Sequence, residues 1–481
     1  MTGGADRVPP APGRASLQQR WRRLATLVAN ARQSLLSDGL MATFDRASDF
    51  IARRRPGLPR HRLSLPPALA SWDGRPGLPT SQAPATSVII PAFNQLAHTL
   101  GCLAAVADSG DALPFEVIVV DDASSDGTAT VLPAIPGLVY VRNDQNLGFI
   151  GACNRGAALA RGRHLVFLNN DTAVQPGWLD ALVRTFDDHP DAGLVGAKLL
   201  YPDGRLQEAG GLVYADASAG NYGRFDAPTD PRFNYLRDAD YCSGAALAVP
   251  AALFRELGGF DGHYQPAYYE DADLAMRVRQ RGLRTLYQPA SRVVHFDGVT
   301  SGREGEGGAK DYQAVNRGKF LARWKDILAA DHAPAGTPPD IAASRRPRVL
   351  FLAQSPAALD EAFHAACDGL RGAGVGATVW LAERAGDKDK ALLAARGIEC
   401  WDPSWPLSLR GWLRRHGARH ALAWFLDEPS RRGLERVVSR GLPHAAVGHG
   451  RPDPARLLDA IPHGKVAGLH QGTRPAGPRI G

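Results

Sequence analysis

The chain has 481 residues, of which 44% are hydrophobic and 22% are charged. This length exceeds that of one ordinary domain and the composition is that of a globular protein, so we expect two or three domains. Five scattered cysteines without a CxxC pair suggest neither a disulfide framework nor a zinc site, and they favour a reducing compartment. Neither a membrane-spanning apolar run nor a signal peptide is recognisable, so the sequence predicts a cytoplasmic protein.

The net charge of +7 is concentrated in the first part of the chain. Residues 1–62 contain twelve arginines and four aspartates, which leaves the remaining residues close to neutral. A nucleic-acid-binding module needs basic and aromatic residues spread over a folded face. The charge distribution therefore argues against a nucleic acid partner.

Residues 1–62 are predicted to form a basic amphipathic helical segment. Leu17, Trp21, Leu24 and Leu27 recur at roughly helical spacing with arginines between them. Such a segment either lies on an anionic membrane surface or packs on the body of the protein, and the sequence leaves both possibilities open.

Patterns of strands and helices then alternate along the chain. The Pro-, Gly- and Ala-rich residues 63–85 read as a linker, residues 86–331 as an α/β domain, and residues 332–347 as a second linker. Apolar, β-branched runs that alternate with helical patterns predict a mostly parallel mixed sheet flanked by helices. In residues 348–481, three further strand patterns separated by helices predict a smaller Rossmann-like α/β domain. The predicted strands of the first domain are, in order, "TSVIIPAF", "FEVIVVDDAS", "LVYVRND" and "HLVFLNND".

Polar residues follow these predicted strands at their carboxyl ends, where open α/β sheets bind ligands. Turn and capping roles explain one or two such residues, because Asp and Asn favour these positions. An entire rim of them indicates a binding site. The residues are Pro91 and Asn94 after the first strand, Asp121 and Asp122 after the second, Asn143 and Asp144 after the third, and Asn169, Asn170 and Asp171 after the fourth.

Two further polar clusters follow downstream. Glu270, Asp271 and Asp273 stand at the start of a predicted helix, where one acid is explained by capping but three are not. His295 ends another β-branched run, and taken alone it is more often a structural residue than a ligand.

Seven motifs follow one another along the chain: "SVIIPAFN", "VIVVDDASSDGT", "NDQNLGFIGACNRG", "LVFLNNDTAVQPGWL", "YCSGAALAVPAALFRELGGFD", "YYEDADLAMRVRQRG" and "VVHFDGVTSG". In this order they resemble the family-2 glycosyltransferases of the GT-A fold, and most closely the rhamnosyltransferase-like members of bacterial surface-polysaccharide synthesis. The resemblance covers residues 86–325, about half of the chain.

The resemblance implies a GT-A nucleotide-diphospho-sugar transferase fold and a divalent cation, Mn²⁺ or Mg²⁺. Asp171 matches the acid that holds this cation against the donor diphosphate, although Asn169 and Asn170 leave this element with a single carboxylate. His295 matches a further metal ligand, and an imidazole ligand favours Mn²⁺ over Mg²⁺.

The resemblance also implies an inverting reaction in which Asp271 accepts the proton of the acceptor hydroxyl and Glu270 orients it or binds the acceptor. The remaining implied site residues would contact the nucleotide sugar, and Asp122 would accept a hydrogen bond from the base. They are Pro91, Asn94, Asp121, Asp122, Asn146, Gly148, Asn170, Ser243 and Gly244.

The expected function is transfer of a sugar from a nucleotide-diphosphate donor to a glycan or polyprenyl-linked acceptor, in O-antigen or capsule synthesis at the cytoplasmic face of the inner membrane. A catalytically inactive nucleotide-sugar or glycan-binding module is the alternative. A dinucleotide-dependent oxidoreductase is disfavoured because the first strand-helix junction, "PAFNQLAH", contains no glycine. The second domain resembles half of a GT-B glycosyltransferase and is expected to be an accessory domain.

Overall fold

The computed structural model describes residues 63–66, 69, 71–296, 312–344, 346–405, 408–442 and 445–461. These residues belong to one compact unit. The predicted basic segment 1–62 lies outside the described residues. Within the described ranges, no helix is both long and apolar enough to cross a membrane.

The first domain is built on a mixed sheet with helices packed against it. Strands β1 to β12 are Thr86–Ala92, Phe115–Asp121, Leu138–Arg142, His164–Leu168, Thr172–Val174, Ala192–Leu200, Leu206–Glu208, Gly211–Val213, Ala219–Asn221, Arg237–Asp238, Ala246–Pro250 and Arg284–His295. Helices α1 to α7 are Leu96–Ala107, Thr128–Val131, Gly148–Leu159, Trp178–Asp188, Ala251–Glu256, Glu270–Gln280 and Tyr312–Asp331.

The strand order of the main sheet is β10-β12-β6-β11-β4-β1-β2-β3, with β5 beside β12 and β7 beside β6. Strands β3, β2, β1 and β4 run parallel, and β11 pairs antiparallel with both β4 and β6. Strands β1, β2 and β4 are apolar runs buried on both faces, which is typical of central parallel strands between helix layers. The parallel half therefore directs the ends of β1, β2 and β4 toward one edge.

Strand β12 pairs with more than one strand along its length. It runs parallel to β6, with an irregular register between Gln288 and Arg292, and it then pairs antiparallel with β5. In that last pairing His295 lies opposite Thr172. The amide of Phe296 also donates to the carbonyl of Asp171 over 2.9 Å. The sheet thereby brings the end of β12 beside the residues that follow β4.

The second domain contains five parallel strands, two more than the sequence predicted. Strands β13, β14 and β16 match the predicted runs, whereas β15 and β17 have only four residues each and lack a β-branched run. The sheet order is β15-β14-β13-β16-β17. The strands β13 to β17 are Arg348–Ala353, Gly376–Leu381, Ile398–Trp401, His420–Phe425 and Ala446–His449, and the helices α8 to α13 are Pro339–Ala342, Glu361–Gly372, Asp387–Ala395, Leu409–His416, Glu428–Gly441 and Pro454–Asp459.

Both predicted linkers contact the folded domains. In the first, the amide of Ser64 donates to Gln175 over 2.8 Å, and Trp72 and Leu78 are buried in the main core. In the second, Asp340 on α8 accepts hydrogen bonds from Arg232 of the first domain. The predicted architecture, a mixed sheet flanked by helices and followed by a smaller α/β domain, is confirmed.

Candidate active site

The loops after β1 and β2 are tied to each other. Asn94 adopts a left-handed backbone conformation, its amide donates to Ser124 over 2.8 Å, and its Oδ1 accepts from the amide of Ser125 over 2.8 Å. Pro91 is half-buried within β1, opposite Val120 of β2. The backbone at the predicted nucleotide rim is therefore fixed before any ligand binds. A cleft of about 530 Å³ beside these loops is lined by Leu69, Asn94, Gln95, Leu96, Ala97, Asp126 and Gly127.

Asp121 is completely buried at the end of β2. It accepts hydrogen bonds from the Tyr140 hydroxyl over 2.6 Å and from the Ser124 amide over 2.9 Å, and it is paired with Arg142. Burial raises the pKa of this carboxyl, but the hydrogen bonds outweigh burial and the net pKa lies below its usual value. The structure thus places this predicted nucleotide contact inside an internal network.

Asp122 organises the start of α3. Its carboxylate accepts from the side chain of Asn143 over 2.6 Å, from the amide of Leu147 over 2.9 Å and from the amide of Gly148 over 2.8 Å. The exposed Asn146 also accepts from the Gly148 amide. Gly148 has a φ of +71°, and a Cβ atom on it would lie 3.0 Å from the Cβ and the carbonyl oxygen of Pro266. Glycine is therefore required at this position, where the loop approaches the segment before α6.

Asp171 and His295 meet where β4 ends and β12 ends. The Nε2 atom of His295 lies 3.3 Å from the Oδ1 atom of Asp171 and 3.4 Å from the Nδ2 atom of Asn169. Burial raises the pKa of Asp171, but the hydrogen bond and charge of His295 outweigh it and hold the pKa below its usual value. Asp171 is therefore a buried carboxylate whose ionised form is favoured by its neighbours. The neighbouring Asn170 points instead to α1, where its side chain donates to Thr99 over 3.0 Å.

The oxygen and nitrogen atoms of the side chains around Asp171 and His295 suit a hard divalent cation with some affinity for imidazole. Asp171 supplies a carboxylate and His295 an imidazole, and the buried Oδ1 atom of Asn169 accepts no hydrogen bond from the described residues. Across the described ranges, no three His, Cys, Asp or Glu side chains form a metal-binding group. A cation here would therefore need further oxygen ligands from the substrate or from water.

Glu270 and Asp271 are adjacent acidic residues at the start of α6. Glu270 is buried and Asp271 is half-buried. Burial raises the pKa of Glu270 well above its usual value, and the charge of Asp271 raises it further. Burial also raises the pKa of Asp271, although the amides of Gly244 and Ala272 donate to it over 3.1 Å and 2.7 Å. Of this pair, the hydrogen-bonded Asp271 is better suited to remain ionised, and Glu270 to carry a proton.

The segment Ser243–Gly244 connects these clusters. The Gly244 amide is bonded to Asp271, and a Cβ atom on Gly244 would lie 3.1 Å from the Phe149 ring of α3. The carbonyl of the next residue, Ala245, accepts from the amide of Asn169 over 3.0 Å. The predicted metal ligands, the predicted base and the start of α3 therefore border one edge of the sheet.

Sequence reasoning missed Glu208, on β7. Its carboxylate accepts from the Ser243 amide over 3.0 Å, and the charges of both Asp271 and His295 act on it. Burial is the main cause that raises its pKa to about 7. The short strand "LQE" carries no motif, so no local signal was available to identify this residue.

An open α/β sheet with carboxylates, an imidazole and backbone amides along the carboxyl edge of its strands has the arrangement of a ligand-binding domain, because such sheets bind ligands at this edge. Residues 87–247 match the sequence model of glycosyl transferase family 2. About a third of the chain thus forms a region that matches this family, as the motifs predicted.

The curated relatives of this chain include proteins whose names refer to O-antigen synthesis and to rhamnosyl transfer. The O-antigen biosynthesis protein RfbC of Myxococcus xanthus is 31% identical over 232 residues, which cover 46% of this chain and 18% of that protein. The N-acetylglucosaminyl-diphospho-decaprenol L-rhamnosyltransferase of Mycobacterium tuberculosis is 26% identical over 215 residues, or 40% of this chain and 69% of that enzyme. The chain spans less than a third of the length of the first two curated relatives it matches.

Solved structures with some likeness include glycosyltransferases. GalNAc-T7 with UDP, GalNAc and Mn²⁺ is 19% identical with a TM-score of 0.40, over 51% of this chain and 50% of that chain. The mannosyltransferase PcManGT from Pyrobaculum calidifontis with GDP-Man and Mn²⁺ is 18% identical with a TM-score of 0.35, over 63% of this chain and 78% of that chain.

Proposed function

We propose that the chain transfers a sugar from a nucleotide-diphosphate donor to a hydroxyl of a glycan or lipid-linked glycan, with inversion at the anomeric carbon. The observation that carries this proposal is the contact between Asp171 and His295 at 3.3 Å. The backbone amide of Asn169 donates to the carbonyl of Ala245, and the amide of the preceding Gly244 donates to Asp271. The match of residues 87–247 to glycosyl transferase family 2 supports the proposal. Nothing in this geometry favours the catalytically inactive binding module.

Asp171 and His295 would hold a divalent cation, Mn²⁺ or Mg²⁺, with the Asn169 amide oxygen within the same cluster. A cation bound there supplies Lewis-acid stabilisation of the negative charge that develops on the leaving nucleoside diphosphate. The single protein carboxylate leaves the ion with net positive charge, which suits an anionic diphosphate as a further ligand. The loops of Asn94, Asp122 and Gly148 would position the nucleotide part of the donor.

Asp271 would accept the proton from the acceptor hydroxyl as that oxygen attacks the anomeric carbon. Its raised pKa favours this role because a base works best when its pKa lies close to the operating pH. The hydrogen bonds from Gly244 and Ala272 fix the orientation of the carboxylate. Glu270, with a pKa raised well above its usual value, would carry a proton and orient the acceptor.

The names of the relatives support a role in bacterial surface-polysaccharide synthesis and an acceptor on a polyprenyl carrier. Such an acceptor would place the reaction at the cytoplasmic face of the inner membrane. The rhamnosyltransferase name favours a deoxyhexose or hexose donor. UDP-, dTDP- and GDP-linked sugars are therefore the donors to compare.

The experiment that tests this function is calorimetric titration of UDP, dTDP and GDP, each with and without Mn²⁺, into the full chain and into Asp171→Ala. Asp326→Ala is the matched control, because Asp326 is exposed on α7 and takes part in no ion pair among the described residues. The proposal predicts that one nucleotide binds only with Mn²⁺, and that binding is lost in Asp171→Ala but kept in Asp326→Ala. Absence of nucleotide binding under every condition would overturn it. If a nucleotide binds but a parallel assay with the corresponding nucleotide sugar detects no release of sugar, the inactive module would be supported instead.

A further inference from the structure

The turn that leads into α6 has an unusual backbone. Tyr268 and Tyr269 have φ angles of +75° and +72°, so two consecutive bulky residues adopt the left-handed conformation. This conformation costs free energy for residues other than glycine, and it persists only where the surroundings impose it. The two tyrosines directly precede Glu270 and Asp271, so the turn sets the direction in which both carboxyl groups point.

The side chain of Asn316 on α7 forms hydrogen bonds with this turn and with the residues before it. Its Nδ2 group donates to the carbonyl oxygens of Tyr264, Ala267 and Tyr268 over 2.7, 2.9 and 3.1 Å. The Asn316 side chain is completely buried. One amide group thus bonds the carbonyls of three residues in the five-residue segment that ends at Tyr268.

Other residues on the same face of α7 extend this contact. Phe320 packs on the ring of Tyr269 with a centroid distance of 5.2 Å, and the indole of Trp324 donates to Asp273 over 2.9 Å. Asn316, Phe320 and Trp324 recur every four residues, so they form one stripe on the helix. The stripe contacts the segment on both sides of Asp271 without contacting Asp271 itself in any hydrogen bond between described residues.

We propose that Asn316 is a positioning residue for Asp271, acting through the left-handed turn at Tyr268 and Tyr269. The proposal rests on the proposed function only in treating Asp271 as the base. Loss of the Asn316 amide removes the donor that three carbonyls share, and the turn relaxes toward an unstrained conformation. The Asp271 carboxylate then moves away from the Gly244 amide, which is held at 3.1 Å in the intact site.

The experiment compares Asn316→Ala and Asn316→Asp with the wild-type full chain. Asn316→Asp keeps the shape of the side chain but replaces the donor with an acceptor that faces three carbonyl oxygens. Lys325→Ala on the same helix is the matched control, because Lys325 is exposed and forms no hydrogen bond or ion pair among the described residues. Hydrogen exchange of the peptides covering residues 241–247 and 264–275 is measured together with melting temperature, nucleotide binding and sugar transfer.

We expect both Asn316 variants to exchange faster in both peptides, including the one that contains Gly244, while Lys325→Ala exchanges like the wild type. Turnover should fall about ten-fold or more, and by a larger factor than nucleotide affinity, because misplacement of a reacting group lowers the rate of the chemical step. A lower melting temperature with unchanged exchange at residues 241–247 would overturn the proposal, as would normal turnover in Asn316→Asp. A chain that transfers no sugar would contradict the proposed function. Because hydrogen exchange is measured without substrate, its result would still test whether Asn316 positions Asp271.

Discussion

Glu208 and Asp271 accept hydrogen bonds from the backbone amides of two consecutive residues. Glu208 bonds the amide of Ser243 over 3.0 Å and Asp271 bonds the amide of Gly244 over 3.1 Å. Two carboxyl groups from separate elements therefore fix one short segment between them. Because like charges repel in a buried site, the two groups are best accommodated when one of them carries a proton.

We predict that Glu208→Gln stabilises the protein at pH 8 and has little effect at pH 5. Burial raises the folded-state pKa of Glu208 from 4.5 to about 7, so the stability linked to its proton is fully present below pH 4.5 and is lost as the pH rises toward 7. Glutamine keeps the acceptor for the Ser243 amide without taking a charge. The difference in unfolding free energy between variant and wild type should therefore grow by about 2 to 3 kcal/mol from pH 5 to pH 8.

The measurement is urea unfolding of both proteins at several pH values between 5 and 8. Glu361→Gln is the control, because Glu361 is exposed on α9. A Glu208→Gln difference that stays flat across this range would show that Glu208 titrates normally.

Much of the first domain is predictable because its central strands are continuous apolar runs. Strands β1, β2 and β4 occur where the patterns place them. Strands β15 and β17 escape prediction because four residues without a β-branched run are too few for any periodicity. Their positions depend on pairing with longer neighbours, which is a property of the tertiary structure.

The site is predictable only where a residue stands in a motif. Asp171 and Asp271 are identified by their motifs, but the pairing of Asp171 with His295 depends on the register of β12 against β5. Glu208 occupies a three-residue strand without any motif. Asn316 offers a weak signal, because it is the polar member of an otherwise aromatic and aliphatic stripe with Phe320, Trp324 and Leu328.

We predict that Gly148→Ala lowers both stability and nucleotide affinity. Gly148 has a positive φ, and an added Cβ atom would lie 3.0 Å from two atoms of Pro266, so the loop and the segment before α6 would have to separate. Backbone strain and the displaced contact together should cost about 1 to 3 kcal/mol of unfolding free energy. Thermal unfolding and nucleotide titration measure the two effects.

Gly258→Ala is the control for this prediction. Gly258 also has a positive φ, of +78°, but a Cβ atom there would meet no atom within 4 Å. It should lose stability through backbone strain alone and keep its nucleotide affinity. Equal losses of affinity in both variants would refute a specific role for Gly148 at the loop contact.

We predict that Lys198→Met removes a pH dependence of stability between pH 7 and pH 9. Lys198 is fully buried on β6, and burial lowers its pKa to about 7. In this range the unfolded chain keeps the proton and the folded chain releases it, so wild-type stability rises with pH. The wild type should gain about 2 kcal/mol relative to Lys198→Met from pH 7 to pH 9.

Denaturant unfolding at these pH values tests this prediction. At pH 7 the methionine variant also loses the hydrogen bonds of the ammonium group to Pro228 and Asn234, which are 3.1 and 2.6 Å long. The absolute stability at one pH therefore combines two effects of opposite sign. Parallel pH profiles of the two proteins would contradict the lowered pKa.

We predict that Asp340→Asn weakens the attachment of the second domain. Asp340 accepts two 3.0 Å hydrogen bonds from Arg232 and one of 2.7 Å from the Tyr222 hydroxyl, and its Oδ2 atom lies 3.3 Å from His416 of the second domain. Burial raises the pKa of Asp340, but His416 and Arg232 outweigh burial and hold the pKa far below its usual value. The variant removes one of the carboxylates around Arg232, which keeps its ion pair with Asp230 at 2.8 Å, so the loss should be about 1 to 3 kcal/mol.

Differential scanning calorimetry of the full chain tests this expectation, with Asp326→Asn as the exposed control on α7. Because the folded-state pKa is depressed, the contribution of Asp340 is fully present above its unfolded value of 3.8 and is lost only as the pH falls below that value. Asp340 should therefore stay ionised at both pH 6 and pH 8, and the variant should be less stable than the wild type at both. If the network joins the domains, the second-domain transition of the variant should separate from that of the first domain and move to lower temperature. A single transition at the wild-type temperature would mean that other contacts hold the domains together without this carboxylate.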